Sequence, residues 1–301
     1  MSHQVWVVGE VLIDLIPNGN VHTAVVGGGP ANTAKALARL GVKIYFIDGI
    51  SSDEHGQMAK AELLAANVLL NYAQYSNKPT CTAKVTLSSS GSASYEFAIK
   101  DTATFDFSNS WLPDPQTLKP SLLHIGTLAT VIEPGASVLF EWAQRVANIA
   151  PIVFDPNIRP AVLGNRDEYV EKVEKWVAIS SAVKVSDEDL NWLYPGKSIH
   201  EIVNEWLEVG VELVVVTLGD KGITAYRKNE QISVDAVKVV VADTVGAGDT
   251  VGAVLVQAIV KNGLDKLTGE VLKSMLNRAV KAAAITVSRT GANPPSKEEI
   301  D

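Results

Sequence analysis

The segment 243–249, Asp-Thr-Val-Gly-Ala-Gly-Asp, places small residues and a carboxylate directly before a strong helical pattern. Gly246, Ala247 and Gly248 leave backbone N–H groups unobstructed, and such groups bind anions at a helix N-terminus. The carboxylate of Asp249 would repel a phosphate, but it suits an acceptor hydroxyl whose proton it takes or orients. The segment therefore predicts phosphoryl transfer to an alcohol. The simpler alternative is that Asp249 only caps the helix.

A second glycine-rich segment, Gly27-Gly28-Gly29-Pro30-Ala31-Asn32, opens another helical pattern. Bare glycine backbone and the Asn32 amide suit a polyhydroxylated ligand, which needs close approach together with donors and acceptors. The segment also partly matches a dinucleotide-binding fingerprint, because Asp48 follows a strand pattern about twenty residues later. The third glycine of that fingerprint is missing, so a nicotinamide-dependent enzyme is the weaker alternative.

Short apolar runs alternate with helical patterns along most of the chain, as expected for strands buried on both faces of a parallel sheet. This alternation predicts one α/β domain, residues 1–301, with three α/β/α layers and a mostly parallel central sheet. The predicted strands are Val5–Val8, Ile44–Ile47, Leu122–Ile125, Ile152–Phe154, Ala182–Val185, Leu213–Thr217 and Val237–Ala242. The predicted helices are Ala31–Leu40, Gly56–Ala66, Ala136–Ala147, Arg166–Ile179, Ile199–Val209 and Thr250–Val260.

Two regions interrupt this alternation and predict a small β-sheet outside the main one. Residues Thr80–Leu87 and Ser92–Ile99 have strand patterns joined by a hairpin signal at Ser88–Gly91, and Asn20–Val26 has a further strand pattern. This sheet, formed by segments at about 15–26 and 80–105, is either a lid over a site or a β-excursion without function. Its exposed edges favour pairing with a second copy, which would give a homodimer through the lid.

Composition and charge exclude several other classes of function. A formal net charge of −8 argues against a nucleic-acid partner, because phosphate backbones bind basic surfaces. The single cysteine, Cys81, permits no intrachain disulfide, and no uncharged apolar run reaches the ~18 residues of a membrane span. The N-terminus has the pattern of a first strand and not of a signal peptide. We therefore expect a cytoplasmic protein without a membrane partner.

The two glycine-rich segments together resemble the two signatures of the ribokinase-like carbohydrate kinases, also called the PfkB family. The resemblance implies that Asp249 is the catalytic base and that the backbone of Gly246, Ala247 and Gly248 forms the anion hole. Asp14 matches the family's substrate aspartate after the first strand, whereas its position alone is also typical of a turn or cap residue. The implied sugar-binding residues are Asp14, Gly28, Gly29, Asn32, Phe97, Asn157 and Arg159.

Further stretches at predicted strand ends resemble the family's nucleotide site and imply ATP with Mg²⁺. Ser186 and Asp189 stand where the family usually has Asn-x-x-Glu, which links Asp189 to magnesium; an acidic first turn of a helix is the alternative. Asp243, near Gly291, is assigned to a monovalent cation, K⁺. The implied nucleotide-binding residues are Lys184, Ser186, Thr217, Gly219, Gly222, Asn277, Gly291 and Ala292.

The stretch Phe154–Pro160 and Ser186 resemble the fructokinase branch of the family, which implies phosphorylation of fructose to fructose 6-phosphate. One alternative is another sugar or nucleoside kinase of the same family, acting on ribose, 2-keto-3-deoxygluconate or a nucleoside. The other is a catalytically silent sugar-binding protein on the same fold.

Overall fold

The computed structural model describes residues 4–19, 21–87 and 93–301. Its strands are β1 (Val5–Val8), β2 (Leu12–Asn18), β3 (Val21–Gly27), β4 (Ile44–Ile47), β5 (Gly49–Ser51), β6 (Gln74–Ser76), β7 (Thr82–Leu87), β8 (Ala93–Ala98), β9 (Leu122–Gly126), β10 (Ile152–Asp155), β11 (Ala182–Ser186), β12 (Leu213–Thr217), β13 (Ile223–Arg227) and β14 (Glu230–Val234). Its α-helices are α1 (Gly29–Arg39), α2 (Glu54–Ala65), α3 (Pro115–Leu118), α4 (Gly135–Ala147), α5 (Arg166–Val177), α6 (Asp187–Leu193), α7 (Ile199–Glu208), α8 (Ala247–Asn262), α9 (Gly269–Val287) and α10 (Lys297–Ile300). Two short 3-10 turns follow strands, at Thr127–Thr130 and Gly219–Lys221.

The main sheet has eight strands in the order β14-β13-β12-β11-β10-β9-β1-β4. The six strands from β12 to β4 are parallel, and the hairpin β13–β14 adds two antiparallel strands at one edge. The carboxyl ends of parallel strands share one edge of a sheet, where ligands of open α/β proteins bind. Polar residues end several of these strands, including Asp155, Ser186 and Thr217.

Helices cover both faces of the main sheet and so create the predicted three layers. Helices α1, α2, α8 and α9 pack on one face with side chains such as Leu37 and Leu276. Helices α4, α5 and α7 pack on the other face, where Trp142 and Trp176 are almost fully buried. Each of these two indoles donates its N–H to a backbone carbonyl, so burial leaves neither donor unpaired. In the part of the chain that the structure describes, no helix is both long and apolar enough to cross a membrane.

A separate four-stranded sheet, in the order β3-β2-β7-β8, lies outside the main sheet. Strands β2 and β7 pair in parallel, whereas β2–β3 and β7–β8 are antiparallel. The hairpin turn predicted at Ser88–Gly91 and the strand-end residues Asn20 and Ser92 lie outside the described residues. The edge strands are β3 and β8, and pairing of either edge with a second copy stays a prediction.

The main discrepancy with the sequence prediction is the run Val237–Ala242, which is not a strand. These residues pair with no described strand, Val240 is 89% exposed, and the Ala242 N–H donates to the carbonyl of Val287 at the end of α9. The hairpin β13–β14, which the sequence prediction missed, forms the edge of the sheet instead. β-branched composition alone therefore overestimated strand structure, because a strand also needs a pairing partner.

Asp53 connects the four-stranded sheet to the main domain. It caps α2, with Oδ1 accepting a 2.7 Å hydrogen bond from the Gly56 N–H. The same carboxylate accepts bonds from Thr80, two residues before β7: 2.8 Å from its N–H and 2.6 Å from its hydroxyl. One side chain thus fixes both the start of a helix and the approach to a strand of the smaller sheet.

We expect Asp53→Ala to lower the free energy of unfolding by about 1–2 kcal/mol, because both the cap and the bonds to Thr80 are lost. Hydrogen exchange should also become faster in β7. Asn165→Ala is the matched control, since Asn165 caps α5 with two backbone bonds but does not contact the smaller sheet. Chemical denaturation with exchange mass spectrometry measures both effects, and equal exchange in β7 for both variants would contradict the proposed connection.

Candidate active site

Helix α8 begins at the glycine-rich segment that was predicted to form an anion hole. Gly246 caps the helix with a left-handed backbone, φ 80°, and a Cβ at this position would lie 2.8 Å from the Cβ of Ala292. Among the described residues, the backbone N–H groups of Gly248 and Asp249 have no acceptor. They point from the positive end of the helix dipole and are free to bind an anion.

Asp249 lies in the first turn of α8 and is not its cap, so the capping alternative is wrong. Its Oδ2 accepts a 3.0 Å hydrogen bond from Nδ2 of Asn32, near the start of α1. The hydroxyl of Thr33 approaches the backbone oxygen of Asp249 at 3.4 Å. The carboxylate, 8% exposed, therefore faces the neighbouring helix α1.

A buried ammonium group lies among the carboxylates of the site. Nζ of Lys184 is 2.9 Å from Oδ2 of Asp155, and both side chains are almost fully buried. Burial alone would lower the pKa of Lys184, but the carboxylates of Asp155 and Asp249 outweigh burial and raise this pKa. Burial raises the pKa of Asp249 to about 6, and the charge of Lys184 opposes that rise. At neutral pH Asp249 is therefore mainly ionised and able to accept a proton.

Lys184 also lies directly behind the predicted anion hole. A Cβ on Gly248 would be 2.8 Å from its Nζ, closer than such atoms normally approach. The missing side chain of Gly248 thus lets the ammonium reach the helix start. Lys184 was predicted to bind the nucleotide; the structure places its charge beneath the anion-binding backbone.

Gly29 marks a small space beside Asp249. A Cβ on Gly29 would lie 2.9 Å from Nδ2 of Asn157, 2.9 Å from Cγ2 of Thr127 and 3.3 Å from Oδ1 of Asp249. A carboxylate, an amide and a methyl group therefore converge on the bare α-carbon. Gly28 has a different role, because its φ of 106° and its contact with the turn after β1 leave no room for a side chain.

Asp14 and Phe97 belong to one face of the four-stranded sheet. Asp14 in β2 is in register with Ala83 in β7, which is in register with Phe97 in β8, so all three side chains project from the same face. Asp14 is thus a strand residue and not a turn or cap residue. Oδ2 of Asp14 lies 2.2 Å from where a Cβ on Gly27 would be, and burial raises its pKa to about 6.

Asn157 and Arg159 follow β10 and reach toward the same region. Asn157 has a left-handed backbone, φ 41°. Nη1 of Arg159 donates to Oδ1 of Asn157 at 2.7 Å, which orients the amide. The positive charge of Arg159 opposes the rise in the pKa of Asp14 that burial causes. Both predicted residues therefore lie where they influence the acceptor side of the site.

The loop that follows α9 contacts the segment that precedes α8. The carboxylate of Asp243 accepts 3.0 Å and 2.9 Å hydrogen bonds from the N–H groups of Val245 and Gly291. The adjacent Ala292 packs on Gly246, as described above. The structure therefore brings Asp243, Gly291 and Ala292 to the start of α8, as the sequence predicted for the nucleotide side.

The remaining predicted nucleotide residues lie on separate elements. Thr217 ends β12, and Gly219 and Gly222 have left-handed φ values of 58° and 107° in the turn that follows it. A Cβ on Gly222 would lie 2.1 Å from the carbonyl oxygen of Val234, so close packing alone requires a glycine at this position. Each residue keeps its predicted nucleotide role as a prediction.

Asn277 lies in the middle of α9, away from the loop that contains Gly291. It is exposed and donates to the Lys273 carbonyl at 3.0 Å. It lies ten residues before Val287, which corresponds to about 15 Å along a helix. Its nucleotide role, which the family resemblance implies, stays a prediction.

Ser186 and Asp189 form a capping box at the start of α6. The Ser186 hydroxyl accepts the Asp189 N–H at 3.0 Å, and the Asp189 carboxylate accepts the Ser186 N–H at 3.4 Å. Oδ1 of Asp189 also accepts the Ile158 N–H at 3.0 Å. The acidic first turn considered in the sequence analysis is therefore present, and the metal role of Asp189 stays a prediction.

Three residues near the site were missed by the sequence prediction: Glu10, Thr127 and Asp155. Each follows or ends a parallel strand, which is the signal that could have identified them. Asp155 pairs with Lys184, and its Oδ1 is buried without a partner among the described residues. Asp48, the acidic residue of the nicotinamide alternative, is fully buried and accepts the N–H groups of Val11 and Gly49. It is therefore unavailable to a ribose.

Comparisons with known proteins identify the family of this chain. The family model described as pfkB family carbohydrate kinase matches residues 2–299. A fructokinase of Rhizobium leguminosarum bv. trifolii is 33% identical over 85% of this chain and 79% of its own length. A fructokinase of Vibrio alginolyticus is 30% identical over 96% of this chain and 94% of its own length. A double-mutant fructokinase of Vibrio cholerae O395, solved with fructose, ADP and potassium ion, superimposes with a TM-score of 0.86 at 28% identity and covers 97% and 94% of the two chains.

The match spans almost the whole chain, and it agrees with the fold, which has a mostly parallel main sheet between helices and a separate small sheet. The chain belongs to the pfkB family of carbohydrate kinases.

Proposed function

We propose that this carbohydrate kinase transfers the terminal phosphoryl group of ATP to a hydroxyl of fructose, giving fructose 6-phosphate. The observation that carries the proposal is the two-sided arrangement of the Asp249 carboxylate. Asn32 holds Oδ2 at 3.0 Å, while Oδ1 faces the space beside Gly29. The free N–H groups at the start of α8 lie in the same helical turn.

On the acceptor side, Asp249 is the general base. Its pKa of about 6 leaves it ionised near neutral pH yet basic enough to take a proton from a hydroxyl as the oxygen–phosphorus bond forms. Asp14 and Phe97, on one face of the smaller sheet, and the Asn157 amide contribute the remaining sugar contacts. That sheet acts as a lid that excludes water, which would otherwise compete with the sugar as acceptor.

On the donor side, the backbone from Gly246 to Gly248 holds the charge that develops on the transferred phosphoryl group. Lys184, behind Gly248, adds positive charge without contacting the acceptor. Thr217, Gly219, Gly291 and Ala292 then surround the nucleotide. ADP in the related Vibrio cholerae structure supports ATP as the donor.

Two cations fit this chain's own oxygen atoms. The unpartnered Oδ1 of Asp155 is a hard ligand of the kind Mg²⁺ prefers, and when bound beside the phosphates the ion neutralises their charge. Asp243, which precedes α8 and accepts the N–H of Gly291, would hold the monovalent cation. The potassium ion of the Vibrio cholerae relative supports that assignment.

Fructose is supported by the names of the relatives, which are fructokinases from several organisms. We expect an ATP-coupled panel of fructose, ribose, 2-keto-3-deoxygluconate and nucleosides to give the highest kcat/KM with fructose. Activity confined to ribose or a nucleoside would replace the substrate and keep the mechanism. Sugar binding without turnover, measured by calorimetry, would favour the non-catalytic alternative.

We expect Asp249→Asn to lower kcat by about 10²–10⁴, the range of general base catalysis, because an amide cannot take the proton. The fold should persist, since the Asn oxygen still accepts from Asn32. Asp14→Asn is the contrasting variant and should mainly raise the KM for the sugar. Full activity of Asp249→Asn in steady-state assays would exclude Asp249 as the base.

We also expect kcat/KM to fall as the pH decreases through about 6, because protonation removes the base. Burial raises the pKa of Asp14 to about 6 as well, so both groups contribute in the wild type. In Asp14→Asn that contribution is removed, so the fall near pH 6 reports Asp249, while the pKa of Glu10 lies higher, at about 7. A profile in that variant that stays flat down to pH 5 would contradict the assignment.

We expect Gly248→Ala to fold but to lose activity about tenfold or more, because the new Cβ displaces the ammonium of Lys184. The acidic limb should move to higher pH, since Lys184 holds down the pKa of Asp249. Gly252→Ala is the matched control one turn later in α8, where the nearest atom would be Nε2 of His124 at 3.7 Å. Rate and pH profiles for both variants, with melting curves, test this, and an unshifted profile for Gly248→Ala would exclude the role of Lys184.

A further inference from the structure

Thr127, the first residue after β9, has a left-handed backbone with φ 54°. A β-branched residue rarely adopts this conformation, which persists only where the surroundings enforce it. Such residues concentrate at functional sites. Thr127 is also 3% exposed, so neither solvent nor a flexible loop explains its conformation.

Glu10 enforces this conformation from the turn after β1. One carboxylate oxygen of Glu10 accepts a hydrogen bond from the Thr127 hydroxyl, and the other accepts the Ala129 N–H at 3.3 Å. The Thr127 carbonyl in turn accepts the Thr130 hydroxyl at 2.7 Å. The hydroxyl and the carbonyl of Thr127 are thus both hydrogen-bonded. Removing the Glu10 carboxylate would free the Thr127 side chain.

Glu10 is an unusual residue for a purely structural role. It is 2% exposed, and among the described residues it forms no ion pair with a lysine or arginine. Burial raises its pKa to about 7, and the hydrogen bond from Thr127 opposes that rise. Asp48, another buried carboxyl group, is close enough for its pKa to rise through repulsion from Glu10, in addition to the larger effect of burial. A buried carboxyl group costs free energy unless hydrogen bonds compensate for the lost water, and Thr127 and Ala129 supply those bonds to Glu10.

The role of Glu10 follows from the groups that Thr127 contacts. Its methyl group and the Asn157 amide both lie 2.9 Å from where a Cβ on Gly29 would be, beside Oδ1 of Asp249. Asn157 is also left-handed, and the two residues follow neighbouring parallel strands in which Gly126 is in register with Asp155. Two adjacent strand ends therefore turn one side chain each toward the same space.

We propose that Glu10 is a positioning residue that holds Thr127 in its left-handed conformation, and that the Thr127 methyl group forms the wall that selects the acceptor next to the reacting hydroxyl. The inference rests on the proposed function, because it takes Oδ1 of Asp249 as the proton acceptor. Glu10 acts only through Thr127, whereas Thr127 contacts the sugar.

A double-mutant cycle tests the positioning role, because glycine adopts a φ of 54° without being held. We expect Glu10→Ala to reduce kcat/KM for the sugar about tenfold in the wild type, but less than about twofold when added to Thr127→Gly. The KM for ATP should not change in any variant. An equal loss from Glu10→Ala in both backgrounds would overturn the proposal. If Glu10→Ala does not fold, the same cycle with Glu10→Gln applies.

Two conservative substitutions of Thr127 test whether its methyl group selects the acceptor. Thr127→Val keeps the shape of the side chain but removes the hydroxyl that donates to Glu10. It should therefore lower kcat/KM as much as Glu10→Ala does. Thr127→Ser keeps the hydroxyl and removes the methyl group. It should retain the rate with the best sugar and should increase kcat/KM for sugars that carry a larger group next to the reacting hydroxyl. Unchanged selectivity in Thr127→Ser would overturn this part. A wild type that phosphorylates no sugar would instead refute the proposed function, which separates the two failures.

Discussion

The hydrogen bond from Asn32 to Asp249 joins the starts of α1 and α8, two helices separated by more than 200 residues in sequence. It leaves one oxygen of the carboxylate held and the other facing the space beside Gly29. The carboxylate is buried, and burial raises its pKa. The charge of Lys184 opposes that rise, and glycine at 248 is needed for the ammonium to come close enough. The start of α8, its glycines and the lysine therefore depend on one another.

The strand order explains why these groups meet. Strand β1 lies between β4 and β9, so the turn after β1 contacts the residues that follow β9, although Glu10 and Thr127 are distant in sequence. Strands β9, β10 and β11 are neighbours, which places Thr127, Asp155 and Lys184 along one edge. The two helices on that face then supply Asn32 and Asp249. The edge of the sheet and the starts of α1 and α8 together form the candidate active site.

Much of this architecture could be predicted from local patterns. The predicted bounds of three strands, Val5–Val8, Ile44–Ile47 and Leu213–Thr217, are those of the structure. Buried parallel strands are almost continuously apolar, so the first and last apolar residues mark their ends. Local patterns failed where a distant element decided the outcome. The exposed run at Val237–Ala242 has strand composition but pairs with no described strand, and the hairpin β13–β14 forms the edge of the sheet instead.

The site shows the same division between local and distant information. The glycines around 246–248 and the position of Asp249 were visible because they are contiguous. The roles of Glu10, Thr127 and Asp155 were not visible, since each depends on a neighbour supplied by another strand. A left-handed threonine also has no sequence signature, because threonine normally avoids that conformation.

The buried carboxyl groups make stability and the proposed catalysis respond oppositely to pH. Burial raises the pKa of Glu10 to about 7 and those of Asp14 and Asp249 to about 6. The unfolded chain has ordinary values near 4, so the folded state binds more protons between about pH 4 and 7. The contribution of these groups to stability therefore falls as the pH rises through that window. Catalysis needs Asp249 ionised and so requires the upper part of the same window. A chain selected for stability alone would replace these acids by apolar residues, and their presence along one sheet edge is best explained by the reaction that they serve.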